Sequence, residues 1–383
     1  MLGAGIVGSA IARDLAGYHH TVALVEARDD VGDGTSKANT AILHTGFDAK
    51  PGTLESRMVS RGYTLLSEYA QQTGIPVERS GAILVAWNDE ELAALPGLRD
   101  KAADNGYTHC DIIDADEVYR LVPALGDGAL GGLTVPDESI ICTWTTNLAL
   151  ATDAVARGGD TADANPCGVR DRPARADDPA HVERRHQRAV GDQRRRVGSR
   201  LHRQGIRLRP IPRHPTARRI ARLRQARAAV DRQNCAPRPD IARQGVLVSP
   251  TIYGNVMLGP TAKDLTDRSA TATSEAGFEF LLGKGGTLMP RLLEEEVTAT
   301  YAGLRAATDC GDYLVEVDHD QRYVLVGGIR STGLTSGMAV AEYVGELLTK
   351  QAFSTAHAPN CHHHPGCRTS AKHSRARTRT PNS

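Results

Sequence analysis

Gly3, Gly5 and Gly8 constrain this chain more than any other feature, because the run Gly3-Ala-Gly5-Ile-Val-Gly8 leads directly into helix-forming residues 9–17. A strand, a turn of this spacing and a helix make a phosphate cradle. The first glycine permits the tight turn, the second lets an anion approach the backbone, and the third lets helix and strand pack closely. Residues 21–26 supply the next strand, and Glu26, 18 residues past Gly8, falls where a carboxylate accepts hydrogen bonds from a ribose. Together they imply a dinucleotide site built from Gly3, Ala4, Gly5, Ile6, Val7, Gly8 and Glu26. The bland alternative is a purely structural turn, and the motif alone does not choose between a flavin and a nicotinamide. Only Met1 and Leu2 precede the cradle, against roughly five residues for an ordinary strand, so either the first strand is a stub or it starts upstream.

With 383 residues the chain has room for two lobes. A polar, glycine-rich loop over residues 34–52 passes into a helix that runs to about Thr73, and a loop this elaborate in a compact protein points to function. Residues 80–87 read as a buried strand and 89–105 as a charged helix. Asp114 is placed to cap a helix over 115–121, with Glu117 at the N3 position of a capping box. Strands are expected over 128–135, 298–305, 313–317 and 323–327, and a helix over 145–157. Residues 246–259 read as two strands about a turn at Gly254-Asn255. The last expected helix, 334–350, puts Leu334, Met338, Ala341, Val344 and Leu348 on one face.

The loop Gly34-Thr-Ser-Lys-Ala-Asn-Thr-Ala-Ile-Leu-His-Thr-Gly-Phe-Asp-Ala-Lys-Pro-Gly resembles the second cofactor-contacting loop of the D-amino-acid-oxidase-like superfamily of FAD-dependent oxidoreductases. Within it the chain is most similar to FAD-dependent glycerol-3-phosphate dehydrogenases and to L-2-hydroxyglutarate dehydrogenases or oxidases. The segments Ala302-Gly-Leu-Arg305, Asp309-x-Gly311-Asp and Gly327-Gly-Ile-Arg-Ser-Thr-Gly333-Leu-Thr335 are similar to the family's closing FAD segment. Two departures are Ala306, where the family carries Pro, and Ser331-Thr332, where it carries Ser-Pro.

The resemblance implies an α/β (α+β) fold: a Rossmann-like FAD-binding domain of the glutathione-reductase-2 type and a second, mostly antiparallel-sheet substrate domain. The first would comprise residues 1–75, 140–160 and 300–351, and the second 76–139 and 246–299. It implies that Ser36, Lys37 and Asn39 lie near the FAD phosphates and that His44 and Gly46 approach the flavin. The final helix would aim Gly333, Leu334 and Thr335 at the ring's pyrimidine edge, where negative charge develops on reduction. Arg305 would hold an anionic substrate group with a two-pronged guanidinium contact. His44 and Arg305 are thus the expected catalytic pair, His44 as base or as hydrogen-bond partner. FAD is the expected cofactor, and no structural metal is expected.

Residues 161–244 do not fit this family. They hold 22 Arg, no Lys, no Phe, Tyr, Trp or Met, and 8 Asp or Glu, a net charge of +14 inside a chain whose total is +1. Excess Arg, Ala, Pro, Asp, Gln and His with no Lys or aromatics is what a GC-rich gene yields in a shifted frame. The segment, with residue 245 at its edge, is therefore expected to be frameshifted or disordered, and the tail 352–383 likewise. A basic insertion that binds nucleic acid is the alternative, but single-strand binders need stacking aromatics, so no nucleic-acid partner is expected. Within the tail, Cys361-His-His-His-Pro-Gly-Cys367 carries zinc-type ligands without any periodicity around them.

Seven scattered cysteines and no apolar run near the roughly 20 residues that span a bilayer lead to an expected cytoplasmic place of work, extending to the inner face of the membrane. The expected partners are a small anionic hydroxy substrate and an electron acceptor such as a quinone or oxygen, with peripheral membrane contact as a further expectation. Two other classes stay open: a nucleic-acid binder on a dinucleotide scaffold, and an inactive remnant.

Overall fold

A computed structural model of the chain describes residues 1–18, 21–158, 160–163, 213–223, 234–237, 245–267, 269–308, 311–318 and 323–350. The helices start where local chemistry starts them. Helix α1 (Ile6–Leu15) begins at Gly5, which has no capping side chain, and α2 (Leu54–Thr73) begins at Thr53, which accepts the Ser56 N–H. Asn88 caps α3 (Asp89–Asp104), and Asp114 caps α4 (Ala115–Leu121) by accepting the Glu117 N–H at 2.9 Å. The Glu117 carboxylate, expected to complete a capping box, is held by Arg120 on the next turn. Helix α5 (Thr143–Ala156) is capped by Cys142. Helix α6 (Glu275–Leu288), which the four glycines in its sequence had hidden, is capped by Ser274, and α7 (Gly333–Lys350) closes the described chain.

The strands run in chain order as β1 (Ala23–Glu26), β2 (Ile42–Leu43), β3 (Val77–Glu78), β4 (Ala82–Ala86), β5 (Ile112–Asp114), β6 (Gly131–Val135), β7 (Ser139–Ile141) and β8 (Asp160–Asp163). They continue as β9 (Arg213–Leu223), β10 (Asn234–Pro237), β11 (Leu247–Pro250), β12 (Val256–Gly259), β13 (Lys263–Asp264), β14 (Val297–Thr308), β15 (Leu314–Asp318) and β16 (Tyr323–Gly327). Leu2 bridges in parallel to Val25, and β1 pairs in parallel with β8. The small sheet β2-β7-β3 joins the chain around His44 to the turn before β7.

The large sheet runs β13-β9-β12-β11-β10-β4-β6-β5, with β14 also on β9. Its pairs are antiparallel except β10 with β4, which accords with the mostly antiparallel second lobe implied by the family. Gly254, at φ 83°, makes the turn between β11 and β12 as its sequence required. Of the basic segment 161–244 the structure describes residues 161–163, 213–223 and 234–237, and there the backbone forms strands. Residues 217–230 are rich in good helix formers, yet the described part, up to Leu223, is extended. Free N–H and C=O groups on β12 and β14 give it a partner on each side, and that pairing outweighs local propensity. The rest of this segment, and the Cys361–Cys367 cluster in the tail, lie outside the described residues.

The two largest apolar cores among the described residues lie in different parts of the fold. One gathers Ile6, Ile11, Leu43, Met58, Leu66, Ile141, Leu150 and Val340 between α1, α2, α5 and α7. The other gathers Ile83, Val85, Val118, Val248, Leu258, Leu281 and Leu292 between the large sheet and α4 and α6. The loop of residues 34–52 and the start of α7 lie between these cores, and they carry the site.

Candidate active site

The glycine turn is packed so tightly at Gly8 that a side chain has no room there. A Cβ on Gly8 would overlap the Gly3 carbonyl oxygen, and one on Gly5 would come within 3.1 Å of Ser36 Oγ. The Ala4 N–H donates to Glu26 Oε2 at 2.6 Å, and the Ile6 N–H donates to Ser36 Oγ at 2.9 Å. Glu26 and Ser36 are therefore both at the turn, one on each side of the start of α1. Asn147, buried on α5, donates to the Ala4 carbonyl at 3.2 Å. Its Oδ1 is buried without a hydrogen-bond partner among the described residues. The sequence offered no signal for Asn147, which reaches the turn only because α5 packs on α1.

Helix α7 packs against the same helix, where a Cβ on Gly337 would come 3.7 Å from the Ile6 carbonyl oxygen. A Cβ on Gly62 in α2 would overlap the Thr335 carbonyl, so α2 also approaches at backbone distance. Leu334 and Thr335 are buried at the start of α7. Thr335 Oγ1 accepts the His44 N–H at 2.9 Å and thereby ties the helix to the loop. Of the other loop residues, Lys37 forms an ion pair with Asp33, and Asn39 folds back to accept the Ala41 N–H at 2.6 Å. That bond supports Ala41 at φ 59°, an uncommon conformation for a residue with a side chain.

Below the loop lies a cavity of about 550 Å³, with Asn39, His44, Glu138, Arg305, Arg330 and Leu334 in its wall. His44 stacks on Phe47, with ring centroids 5.6 Å apart. Its Nδ1 lies 2.9 Å from the Gly46 amide nitrogen and 3.4 Å from Glu138 Oε1; its Nε2 lies 3.4 Å from Asp48 Oδ1. Glu138 is 2 % exposed, and its Oε1 accepts both the Thr45 N–H at 2.7 Å and the Thr45 hydroxyl at 2.8 Å. Burial pushes the Glu138 carboxyl above the usual carboxylate range.

Arg305 on β14 and Arg330, just before α7, line the same cavity. Burial first, then the neighbouring charge of Arg330, lowers the Arg305 pKa from its ordinary value. Arg330 donates to Glu55 Oε2 and to the Gly311 carbonyl, each at 2.8 Å. The Nε atoms of both arginines are buried without a hydrogen-bond partner among the described residues. Two guanidinium groups with donors to spare, one making no ion pair among the described residues and the other offset by Glu55, make an anion site. Arg330 stood in the quoted run Gly327-Gly-Ile-Arg and could have been found there; Glu55 and Glu138 carried no such signal.

These residues fit FAD. The side-chain-free turn, the uncapped start of α1 and the unpartnered Asn147 Oδ1 suit a pyrophosphate and its ribose, while His44 and the α7 start border the cavity beyond.

Comparison with known proteins agrees with this geometry. The family model described as FAD dependent oxidoreductase matches residues 2–347. The chain is 30% identical over 357 residues to a glycerol 3-phosphate dehydrogenase of Caloramator mitchellensis, covering 91% of this chain and 73% of that protein. A shorter match, 29% over 161 residues, is to the mitochondrial L-2-hydroxyglutarate dehydrogenase of Pongo abelii, covering 42% of this chain and 38% of that protein. Among solved structures, dithionite-reduced L-alpha-glycerophosphate oxidase from Mycoplasma pneumoniae with FAD bound superposes with a TM-score of 0.79 at 22% identity. That match covers 94% of this chain and 95% of the other.

Proposed function

The chain belongs to the FAD-dependent oxidoreductase family, and from that premise we propose that it oxidises the secondary hydroxyl of sn-glycerol 3-phosphate. The observation that carries the reading is the pair Arg305 and Arg330 on the cavity wall, with His44 on the same cavity. A phosphate dianion needs more than one positive charge for its desolvation to be offset, and it presents enough oxygens for two guanidinium forks. Bound FAD supplies the hydride acceptor, which no side chain can be.

The chain's own groups do the rest. Arg305 and Arg330 hold the phosphate and so fix where the carbinol carbon lies. His44 takes the hydroxyl proton as the C–H bond breaks. The starts of α1 and α7, as the positive ends of their helix dipoles, favour negative charge at the two ends of the cofactor. Leu334, Phe47 and Val59 keep the cavity wall apolar between the charged groups.

L-2-hydroxyglutarate is the second reading, supported by the shorter match and by the suitability of the same arginines for a carboxylate. The length of the glycerol 3-phosphate dehydrogenase match favours the first. The electron acceptor in this proposal is a quinone or oxygen. The enzyme is proposed to work in the cytoplasm, reaching the inner face of the membrane where the acceptor is a quinone. No helix among the described residues is long and apolar enough to cross a membrane.

Anaerobic mixing of the purified flavoprotein with each substrate tests the proposal. Glycerol 3-phosphate is expected to bleach the flavin absorbance at far lower concentration than L-2-hydroxyglutarate. Bleaching by L-2-hydroxyglutarate alone would replace the first reading with the second.

A further inference from the structure

One ring nitrogen of His44 faces two groups with opposite demands. Nδ1 lies 2.9 Å from the Gly46 amide nitrogen, whose N–H needs a lone pair, and 3.4 Å from Glu138 Oε1, which as a carboxylate needs a hydrogen. A neutral imidazole carries a single ring hydrogen, so whichever neighbour prevails at Nδ1 also decides what Nε2 can do. With hydrogen on Nδ1, Nε2 holds a lone pair and can take a proton. With hydrogen on Nε2, the ring is only a donor on that side.

We propose that Glu138 is the positioning residue that sets the tautomer of His44, its ionised carboxylate drawing the ring hydrogen to Nδ1 and leaving Nε2 free as the base. This rests on the oxidation proposed above and adds to it the group that makes His44 basic at the right atom. Glu138 is built for such a task. The turn that carries it is tied down by Gly81, whose N–H donates to the Glu138 carbonyl at 2.8 Å, and its Oε1 is aimed by both Thr45 donors. Those two bonds favour the ionised form against the cost of burial.

The other charges around the ring do not reverse this. Asp48 faces Nε2 at 3.4 Å and favours hydrogen there, but its side chain is 38% exposed against 3% for Glu138, so solvent screens it far more. Lys50, Glu55, Lys101, Arg305 and Arg330 line the same cavity. Their positive excess favours the anionic form of Glu138. Because burial raises the Glu138 pKa, the carboxylate that holds the ring hydrogen on Nδ1 is lost as pH falls through that value, and kcat falls with it.

The test is nitrogen NMR of the His44 ring in the FAD-loaded protein, without substrate, for the parent and for Glu138→Gln. In the parent at the pH of full activity Nδ1 is expected to carry the hydrogen. In Glu138→Gln the amide keeps the volume and loses the charge, the Gly46 N–H prevails, and the hydrogen moves to Nε2. Turnover with glycerol 3-phosphate should then fall on the order of 100-fold, the scale of general base catalysis, with KM within about twofold and bound FAD unchanged. Hydrogen on Nε2 in the active parent overturns the proposal, and so does the same tautomer in both proteins. The parent spectrum needs no variant to fold and no substrate. Failure of glycerol 3-phosphate to react therefore counts against the substrate reading alone.

Discussion

Replacing Arg305 by Ala separates a substrate-binding role from a structural one, because the two predict opposite changes in stability. In the free protein this guanidinium is largely buried beside a second cation, its pKa is lowered, and its Nε lacks a partner among the described residues. Removing it breaks no close ion pair among the described residues, and the lost attraction to Glu55 and Asp264 is set against relief of the larger repulsion with Arg330. The melting temperature of Arg305→Ala should therefore stay level or rise. Binding is a different matter. A hydrogen bond between charged groups contributes about 1.5–3 kcal/mol, and about 1.4 kcal/mol is a factor of ten. The KM for glycerol 3-phosphate should rise about 10- to 150-fold, while glycerol, which has no phosphate, should be oxidised as poorly as before. Arg305→Lys keeps the charge and loses the fork, so it should fall between the two. Steady-state kinetics with both substrates, flavin absorbance per chain and a thermal melt make the assay. The reasoning fails if the KM moves less than threefold, or if flavin loss and a lower melting temperature accompany the change.

Three further outcomes follow from the same geometry. Arg330→Ala, unlike Arg305→Ala, leaves the mostly buried Glu55 without its cation, so it should cost about 1–3 kcal/mol of stability as well as weakening substrate binding; a melt indistinguishable from the parent would contradict this. Gly8→Ala puts a methyl group on the Gly3 carbonyl and should abolish FAD retention, measured as flavin absorbance of the purified chain; full flavin occupancy would show that the turn adapts. Asp153, although burial raises its pKa, is lowered overall by its bonds to Arg157 and Arg13. A carboxylate whose folded pKa is depressed stabilises the fold above its unfolded pKa of about 3.9 and loses that contribution as pH falls through the folded value. Asp153→Asn should thus lower stability at pH 7 and flatten its decline on acidification below about pH 4, as urea melts across that range will show.

The sequence alone determined what depends on neighbours a few residues away. Asp114 caps α4 because its side chain reaches the Glu117 amide three residues on, and Gly254 turns the chain because only its own backbone must tolerate φ 83°. The glycine spacing of residues 3–8 specified a cradle for the same reason, and the family resemblance carried Ser36, His44 and Arg305 to the neighbourhood of the site. Tertiary structure decided the remainder. Asn147 reaches the glycine turn from α5, and Arg330 stands beside Arg305. Glu138 meets Thr45 across 93 positions of chain, and residues 213–223, whose composition promised no strand, lie between β12 and β14. Local propensities act over three or four residues and amount to tenths of a kcal/mol to about 1 kcal/mol each. Which distant side chains share a low-dielectric cavity is set by how α1, α2, α5 and α7 pack, and a charge there is governed by partners that no spacing along the chain encodes.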